Sequence, residues 1–268
     1  MKKLVGSDGF DAYYSELYGD RWKNLKQSLY GESHYVEWKP DYTENTYFLD
    51  SASVLTAYSL PLANAKNILD MCSAPGGKSL ILAHRMERTA QLLCNERSSQ
   101  RRNRLVNVLN THLSEEIRER VKVSSNDGSI MCKKESEAFD AILLDAPCSS
   151  ERHVLTDTKY LDQWTSSRIK NLSIAQWALL SSAFRLLKTG GKLVYSTCAL
   201  AKLENDEVVR KLTKKFDNAK VQQIDFSAIT SCCSHTLPIA EKTEFGYHVL
   251  PDTQNGAGPL YFSLIEKN

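Results

Sequence analysis

A short apolar run, Ile68-Leu69, ends on an acid, Asp70, and small residues running through Cys72-Ser-Ala-Pro-Gly-Gly77 separate it from a helical pattern that begins near Lys78. Strand, glycine-bearing loop and helix, in that order, constrain the fold more than any other segment. In a doubly wound α/β sheet, ligands bind outside the carboxyl ends of the strands, where such a loop sits. Gly76 and Gly77 let the backbone come close to a ligand, and the amides of a helix start favour electron-rich groups. An ordinary tight βα turn has the same composition. A phosphate-binding P-loop does not. Gly77-Lys-Ser79 matches its tail, but that motif places another glycine where Cys72 stands, and here Pro75 interrupts the loop.

From Asn64 onward, strand-like and helix-like stretches alternate. The strand candidates are Ile68 to Met71, Gln91 to Asn95, Val121 to Ser124, Phe139 to Asp145 and Lys192 to Thr197. Helical patterns lie between them at Lys78 to Met86, Ser98 to Leu109, Ser114 to Arg120 and Ser166 to Leu187, with Thr189-Gly-Gly191 as a stop signal. Repeated βα units predict an α/β domain, residues 61–268, with a mostly parallel, doubly wound sheet. The segment from Val221 on is expected to add strands, although Ser231 to Lys242 has no readable pattern.

Residues 1–60 differ in character and predict a helical appendage. They hold half of the aromatic residues, with Arg21, Lys23, Lys26 and Lys39 interleaved. Phe10, Tyr14, Leu17, Tyr18 and Arg21 recur at helical spacing, which predicts an amphipathic helix packed on the core. The alternative is a surface where bases stack on rings and cations meet phosphates.

The 268 residues, 42% of them hydrophobic, can build one good-sized core, and a net charge of +2 neither demands nor excludes nucleic acid. No apolar run approaches the ~18 residues that cross a bilayer, so no membrane is expected. Met1-Lys-Lys lacks the hydrophobic segment of a signal peptide, which predicts a cytoplasmic protein. The odd count of 7 cysteines fits reduced thiols. No C-x2-C pair is present, and Cys232-Cys233 with His235 is too crowded for a usual metal site, so no metal is expected.

The strand ends carry the informative side chains. The second strand ends in Asn95-Glu96, where an acid commonly holds the hydroxyls of a ribose. The third leads into Asn126-Asp127-Gly128, where an acid and a glycine can meet an adenine edge. Each acid alone reads equally as a solvated loop residue or a helix cap. Together with the glycine loop they outline a nucleoside site, with Arg101 one turn into the next helix either supporting it or facing water. The fourth strand ends at Asp145 and runs into Ala-Pro-Cys148, and the fifth ends at Thr197 and runs into Cys198. Two thiols thus end neighbouring strands on the same rim, either as buried structural cysteines or as a nucleophile whose thiolate the site favours. A redox pair is disfavoured by their long separation in sequence and the absence of C-x-x-C.

These residues resemble the NOL/NOP/Sun family of RNA cytosine-5 methyltransferases. Asp70-Met-Cys-Ser-Ala-Pro-Gly-Gly-Lys78 is similar to the family's D-x-C-A-A-P-G-G-K loop, with Ser73 in place of an alanine. Asp145-Ala-Pro-Cys-Ser149 matches its D-A-P-C-S. Tyr195-Ser-Thr-Cys198, followed by Glu204-Asn-Asp206, is similar to its S-T-C-S segment and downstream E-N-E, with Ala199 replacing serine. The resemblance covers roughly Tyr47 to the C-terminus.

It implies a Rossmann-like class I methyltransferase that uses S-adenosylmethionine. Cys72, Ser73, Ala74, Pro75, Gly76, Gly77, Lys78, Glu96, Asp127 and Asp145 would then line the cofactor and base pocket, with Arg101 and Gly128 as further contacts. Glu96 stands where the family more often has aspartate. Cys198 would be the nucleophile, Cys148 the thiol that helps release product, and Asp145 a hydrogen-bond partner of the base. Gly258-Pro-Leu-Tyr-Phe262 and the compact length resemble the branch that includes mitochondrial enzymes, which lack a built-in RNA-binding domain. The implied partner is RNA, ribosomal ahead of transfer RNA, with a partner protein as one route to substrate delivery. A DNA cytosine-5 methyltransferase would place its nucleophile at Cys148, and Cys198 argues against it. A non-catalytic RNA-binding protein on this scaffold could have lost its thiols and loop glycines, yet this chain retains both.

Overall fold

The computed structural model describes residues 4–268; Met1, Lys2 and Lys3, which weighed against a signal peptide, lie outside it. Helices α1 (Gly6–Tyr18) and α2 (Trp22–Tyr30) come first, joined by a 3-10 turn at Gly19–Arg21. Their aromatic faces interlock. Tyr14 stacks on Trp22 with ring centroids 5.1 Å apart, and Phe10 meets Trp164 edge-on at 5.4 Å. Phe10, Tyr14, Trp22 and Trp164 are all buried, whereas Leu17, on the same predicted face, is exposed. Rings of this size bury on the order of 150–250 Å² each, enough to hold two short helices on the main domain.

An antiparallel hairpin, β1 (Tyr35–Trp38) and β2 (Tyr47–Asp50), follows, with Tyr35 opposite Asp50 and Glu37 opposite Phe48. Nothing in the sequence pattern announced it. Its alternate residues Trp38 and Leu49 are buried in the main core. Helix α3 (Ser51–Tyr58) is capped by the Asp50 carboxylate, which accepts from the Ala52 amide at 2.8 Å. It too packs into the main core through Val54 and Leu55.

The sheet begins with β3 (Asn67–Asp70), followed by α4 (Gly77–Arg85), β4 (Gln91–Asn95), α5 (Ser99–His112), α6 (Glu115–Arg118), β5 (Val121–Ser124) and β6 (Phe139–Asp145). Then come α7 (Glu151–Thr156), α8 (Thr158–Asp162), α9 (Ser166–Leu186) and β7 (Leu187–Thr197). Strands β3 to β7 are parallel in the order β5-β4-β3-β6-β7. The chain therefore winds outward from β3 in one direction and returns to start again at β6. The crevice at the carboxyl ends of β3 and β6 is the topological switch point.

Both faces of the sheet are covered, as period-2 alternation requires. Ala141 and Leu143 of β6 enter one core with α3, α4 and α5, while Ile142 and Leu144 enter the other with α9. Thr189-Gly-Gly191 does not simply end a helix. Helix α9 stops at Leu186, and the glycines form an irregularity inside β7, where Phe139 pairs with Leu187 but Ala141 pairs with Lys192. Gly190 takes φ +79°, which a residue with a side chain rarely adopts.

The C-terminal part adds α10 (Asp206–Lys215), β8 (Ala219–Gln222), α11 (Phe226–Cys232), β9 (Glu241–Lys242), β10 (Tyr247–Val249) and β11 (Leu260–Lys267). Strand β11 lies antiparallel to β7, and β8 and β10 share its other edge. Within the segment whose pattern was unreadable, His235 binds the Glu37 carbonyl at 2.7 Å and stacks on Trp38.

Candidate active site

The loop after β3 is built from its acid outward. Asp70 is buried and accepts from the Ser79 hydroxyl at 2.6 Å. Burial pushes this carboxyl up to about 7, against the pull of Ser79. Ser73 bonds back to the carbonyls of Asp70 and Asn95 at 2.7 and 3.1 Å, which ties the loop to β4. Gly76 caps α4 with φ +125°, and a Cβ there would lie 3.0 Å from Val108. Its missing side chain lets α4 start against α5. Gly76 lines none of the cavities described below.

Three contiguous cavities open along the crevice. The first, about 300 Å³, lies among Cys72, Glu96, Asp127, Gly128 and Pro147, with Ala178 and Leu179 of α9 as an apolar wall. Glu96 is 5% exposed, accepts from the Ser98 amide at 2.8 Å and meets the Arg101 guanidinium at 3.3 Å. Arg101 also donates to the Ala74 carbonyl at 2.8 Å, so it braces the loop against the acid. The Asp127 carboxylate, held below the usual range chiefly by the Ser129 hydroxyl, pairs with Arg97 at 2.9 Å. At Gly128 a Cβ would stand 2.9 Å from a Leu179 methyl, so glycine lets that wall close on the strand end without the leucine shifting. Two acids facing an apolar wall suit a nucleoside: one carboxylate for ribose hydroxyls, one acceptor for an amino edge, and a flat surface for the base.

The second cavity, about 230 Å³, shares Cys72 with the first and is lined by Tyr35, Phe48, Ser73, Ala74, Pro75, Gly77, Lys78 and Asp145. The third, about 610 Å³, shares Asp50, Ser53, Lys78 and Asp145 with the second, and holds Ser150, Arg152, His153 and Cys198. Lys78 and Asp145 therefore stand at the junction. The Lys78 ammonium lies 2.7 Å from the Asp145 carboxylate and 3.1 Å from the Ser53 hydroxyl, and Ser196 donates to the other Asp145 oxygen at 2.9 Å. Burial pulls Lys78 down, but Asp145 and the nearby Cys198 outweigh it, and the ammonium is held above its usual value.

The sulfurs of Cys148 and Cys198 are 2.8 Å apart. Parallel pairing of β6 with β7, Asp145 opposite Ser196, puts the two residues side by side although they are 50 positions apart in sequence. Sequence separation was no guide to their proximity. Ser150 has φ 54°, uncommon for a residue with a side chain, and its hydroxyl lies 3.2 Å from the Cys198 sulfur. The hydrogen bond with Cys198, followed by burial, pushes the Cys148 thiol well up. Burial likewise raises Cys72.

Beneath the thiols is a buried polar layer that the sequence did not reveal. Glu204 accepts from the Ser149 amide at 3.0 Å and from Gln176 at 2.8 Å, and the same Gln176 amide donates to the Pro147 carbonyl at 2.9 Å. Glu151 accepts from the hydroxyls of Ser149 and Tyr14 and from the Leu200 amide at 3.0 Å. Asn205 accepts from Thr197 at 2.6 Å and donates to the Ala199 carbonyl at 2.8 Å. Glu204 thus grips the Cys148 loop and its neighbour Asn205 the Cys198 loop. The only sequence signal was the Glu204-Asn-Asp206 run, to which no role had been attached.

The sequence profile of the family described as 16S rRNA methyltransferase RsmB/F matches residues 57–265. The chain is 32% identical to the mitochondrial tRNA (cytosine(34)-C(5))-methyltransferase of Danio rerio, over 88% of this chain and 63% of that protein. It is also 32% identical to the 5-cytosine rRNA methyltransferase NSUN4 of Bos taurus, over 81% of this chain and 58% of that protein. The chain thus spans about six-tenths of the length of these curated relatives. A methyltransferase homolog protein from Pyrococcus horikoshii has the same fold, with a TM-score of 0.74 at 20% identity, over 99% of this chain and 96% of that one. Family profile, fold and the motifs that line the crevice agree: this chain belongs to the RsmB/F methyltransferase family.

Proposed function

We propose that the chain is an RNA cytosine-5 methyltransferase that uses S-adenosylmethionine and acts on ribosomal RNA. One observation carries this reading: two thiols in contact, one of which, Cys198, lines a cavity that shares its walls with a nucleoside-shaped pocket by way of the second cavity. The cofactor supplies an electrophilic methyl group. Glu96 would hold its ribose, Asp127 its base, and the loop Cys72 to Lys78 the rest.

Carbon 5 of cytosine is a poor nucleophile until a thiolate adds to carbon 6. Cys198 is the better placed nucleophile because the Lys78 cation shares its cavity. Cys148, whose thiol is pushed up by the bond to Cys198 and by burial, lies in hydrogen-bond contact with the Cys198 sulfur. Once Cys198 bonds to carbon 6, the 5,6 electron pair would make carbon 5 nucleophilic toward the methyl group, whose bond to the sulfonium breaks to leave a neutral thioether. The carbon-5 proton would then pass to a base such as water, its bonding pair re-forming the 5,6 double bond and expelling Cys198 as a thiolate, with Cys148 beside it to assist. Asp145, locked by Lys78 and Ser196, is oriented to accept from the base's amino edge. The target base has to leave any stack to reach the thiols.

Transfer of labelled methyl groups from S-adenosylmethionine to total RNA, followed by nucleoside analysis and separation of RNA classes, tests the reading. Label in 5-methylcytidine of ribosomal RNA is expected. Label confined to transfer RNA would favour the second reading, motivated by a relative whose name specifies a tRNA cytosine. Glu96→Ala is expected to weaken S-adenosylmethionine binding by roughly tenfold or more, the cost of one charge-assisted hydrogen bond, as read by titration calorimetry. Unchanged affinity would remove Glu96 from the ribose site. The proposed compartment is the cytoplasm.

A further inference from the structure

Isolated exposed apolar side chains are ordinary on a protein surface. Among the described residues, four phenylalanine, tyrosine or tryptophan side chains are exposed: Tyr30 (49%), Tyr35 (61%), Phe48 (58%) and Tyr160 (40%). They are not scattered. Tyr35 and Phe48 line the second cavity. Tyr30 stands between Leu29 and Gly31, which both line the thiol cavity. Tyr160 packs on His153, a wall of the same cavity, with ring centroids 5.0 Å apart.

The hairpin register adds a second point. Tyr35 is opposite Asp50, and Phe48 lies two residues before Asp50, so Tyr35 and Phe48 share one face of the hairpin while Trp38 and Leu49 hold the other in the core. The aromatic N-terminus is thereby sorted into rings that pack and rings that surround the site.

We propose that these four rings are stacking platforms for the nucleotides that flank the target cytidine in single-stranded RNA. The inference rests on the function proposed above. A base drawn into the thiol cavity leaves its neighbours unstacked. An aromatic face restores that stacking for any base, because every base has a π-face. The charge on the rim fits the same occupant. The Arg152 guanidinium is held by the carbonyls of Leu29, Gly31, Gly256 and Gly258 and, among the described residues, makes no ion pair, so its charge is free to act on a phosphate. A protein interface of the usual kind has a contiguous apolar centre. Here the rings are separated by a polar cavity bearing Asp50, Lys78, Asp145 and Arg152, which suits a thin, flexible polyanion better.

The test measures the affinity of the full chain for a short fluorescein-labelled RNA single strand, and for the same strand annealed to its complement. Tyr35→Ala and Phe48→Ala are each expected to weaken single-strand binding by roughly five- to a hundredfold, the range for loss of one stacked base. Tyr35→Phe should restore it. Unchanged circular dichroism and an unchanged thermal-unfolding midpoint in all three report an intact fold, a readout independent of the cavity that Tyr35 and Phe48 line. The proposal is overturned if the alanine variants bind the strand like the parent, if the parent prefers the duplex, or if the variants lose self-association instead. Methyl transfer to total RNA by the parent is scored separately. Transfer with undiminished strand binding in the variants sinks the platforms and leaves the activity. Lost strand binding without transfer by the parent sinks the activity and leaves the platforms.

Discussion

A Cys148→Ala protein incubated with RNA and S-adenosylmethionine is expected to retain RNA through denaturation, and a Cys198→Ala protein to retain none. Turnover in both should fall by on the order of a thousandfold or more, the scale on which a covalent mechanism responds to loss of an essential member. The asymmetry follows from position. Cys198 shares its cavity with the Lys78 cation and the Ser150 hydroxyl, so attack survives the loss of Cys148. Release does not, because the second sulfur that stood 2.8 Å away is gone. Denaturing electrophoresis with labelled RNA reads the adduct, and sequencing the trapped RNA names the substrate. Trapping by Cys198→Ala alone would exchange the two roles and restore the DNA-type assignment. Retention by neither variant, with S-adenosylmethionine still bound, would argue against a covalent route on the RNA supplied.

The parts of this site that could be read from the chain were those whose logic is local. Asp70 through Lys78 forms strand, loop and helix within one short segment, and Glu96, Asp127 and Asp145 lie at or within three residues beyond the ends of strands that were visible in sequence. Contacts between segments were legible only in part. The two thiols are expected from sequence to end neighbouring strands, and β6 does pair with β7, but the direct contact of the sulfurs is a property of strand register rather than of either motif. Glu151, Gln176 and Glu204 are polar residues that read as solvent-facing, and only the packing of α9 and α1 over the Cys148 loop buries them. The hairpin strands are too short for alternation to stand out from loop composition. The N-terminal aromatics divide: Phe10 and Tyr14 pack, as the helical spacing predicts, and Trp22 packs with them, while Tyr30, Tyr35 and Phe48 stay exposed, which is the ground for the stacking role proposed above.

Glu204→Gln is expected to stabilise the fold at pH 8 and to leave it nearly unchanged at pH 5. Burial, and then the Glu151 charge, push the Glu204 carboxyl up to about 7. In the unfolded chain it titrates near 4.5. Between those values the folded state binds the extra proton, so this group's contribution to stability falls as pH rises, and its full penalty is present above about 7. A shift of this size corresponds to on the order of 3 kcal/mol. Asp70, also pushed up to about 7 by burial, acts in the same direction. His248 acts in the opposite one: burial lowers it to about 4, so its contribution rises with pH between there and its unfolded value near 6.5. The parent's pH profile is therefore a sum of opposing arms, and only the difference between variant and parent isolates Glu204. Glutamine keeps an oxygen for the Ser149 amide and carries no charge at any pH. Its amide also supplies a donor where the second Glu204 oxygen and the Gln176 oxygen both lack partners among the described residues. Urea titrations at the two pH values measure the effect, and an equal change at both would mean that Glu204 is not the buried acid that titrates.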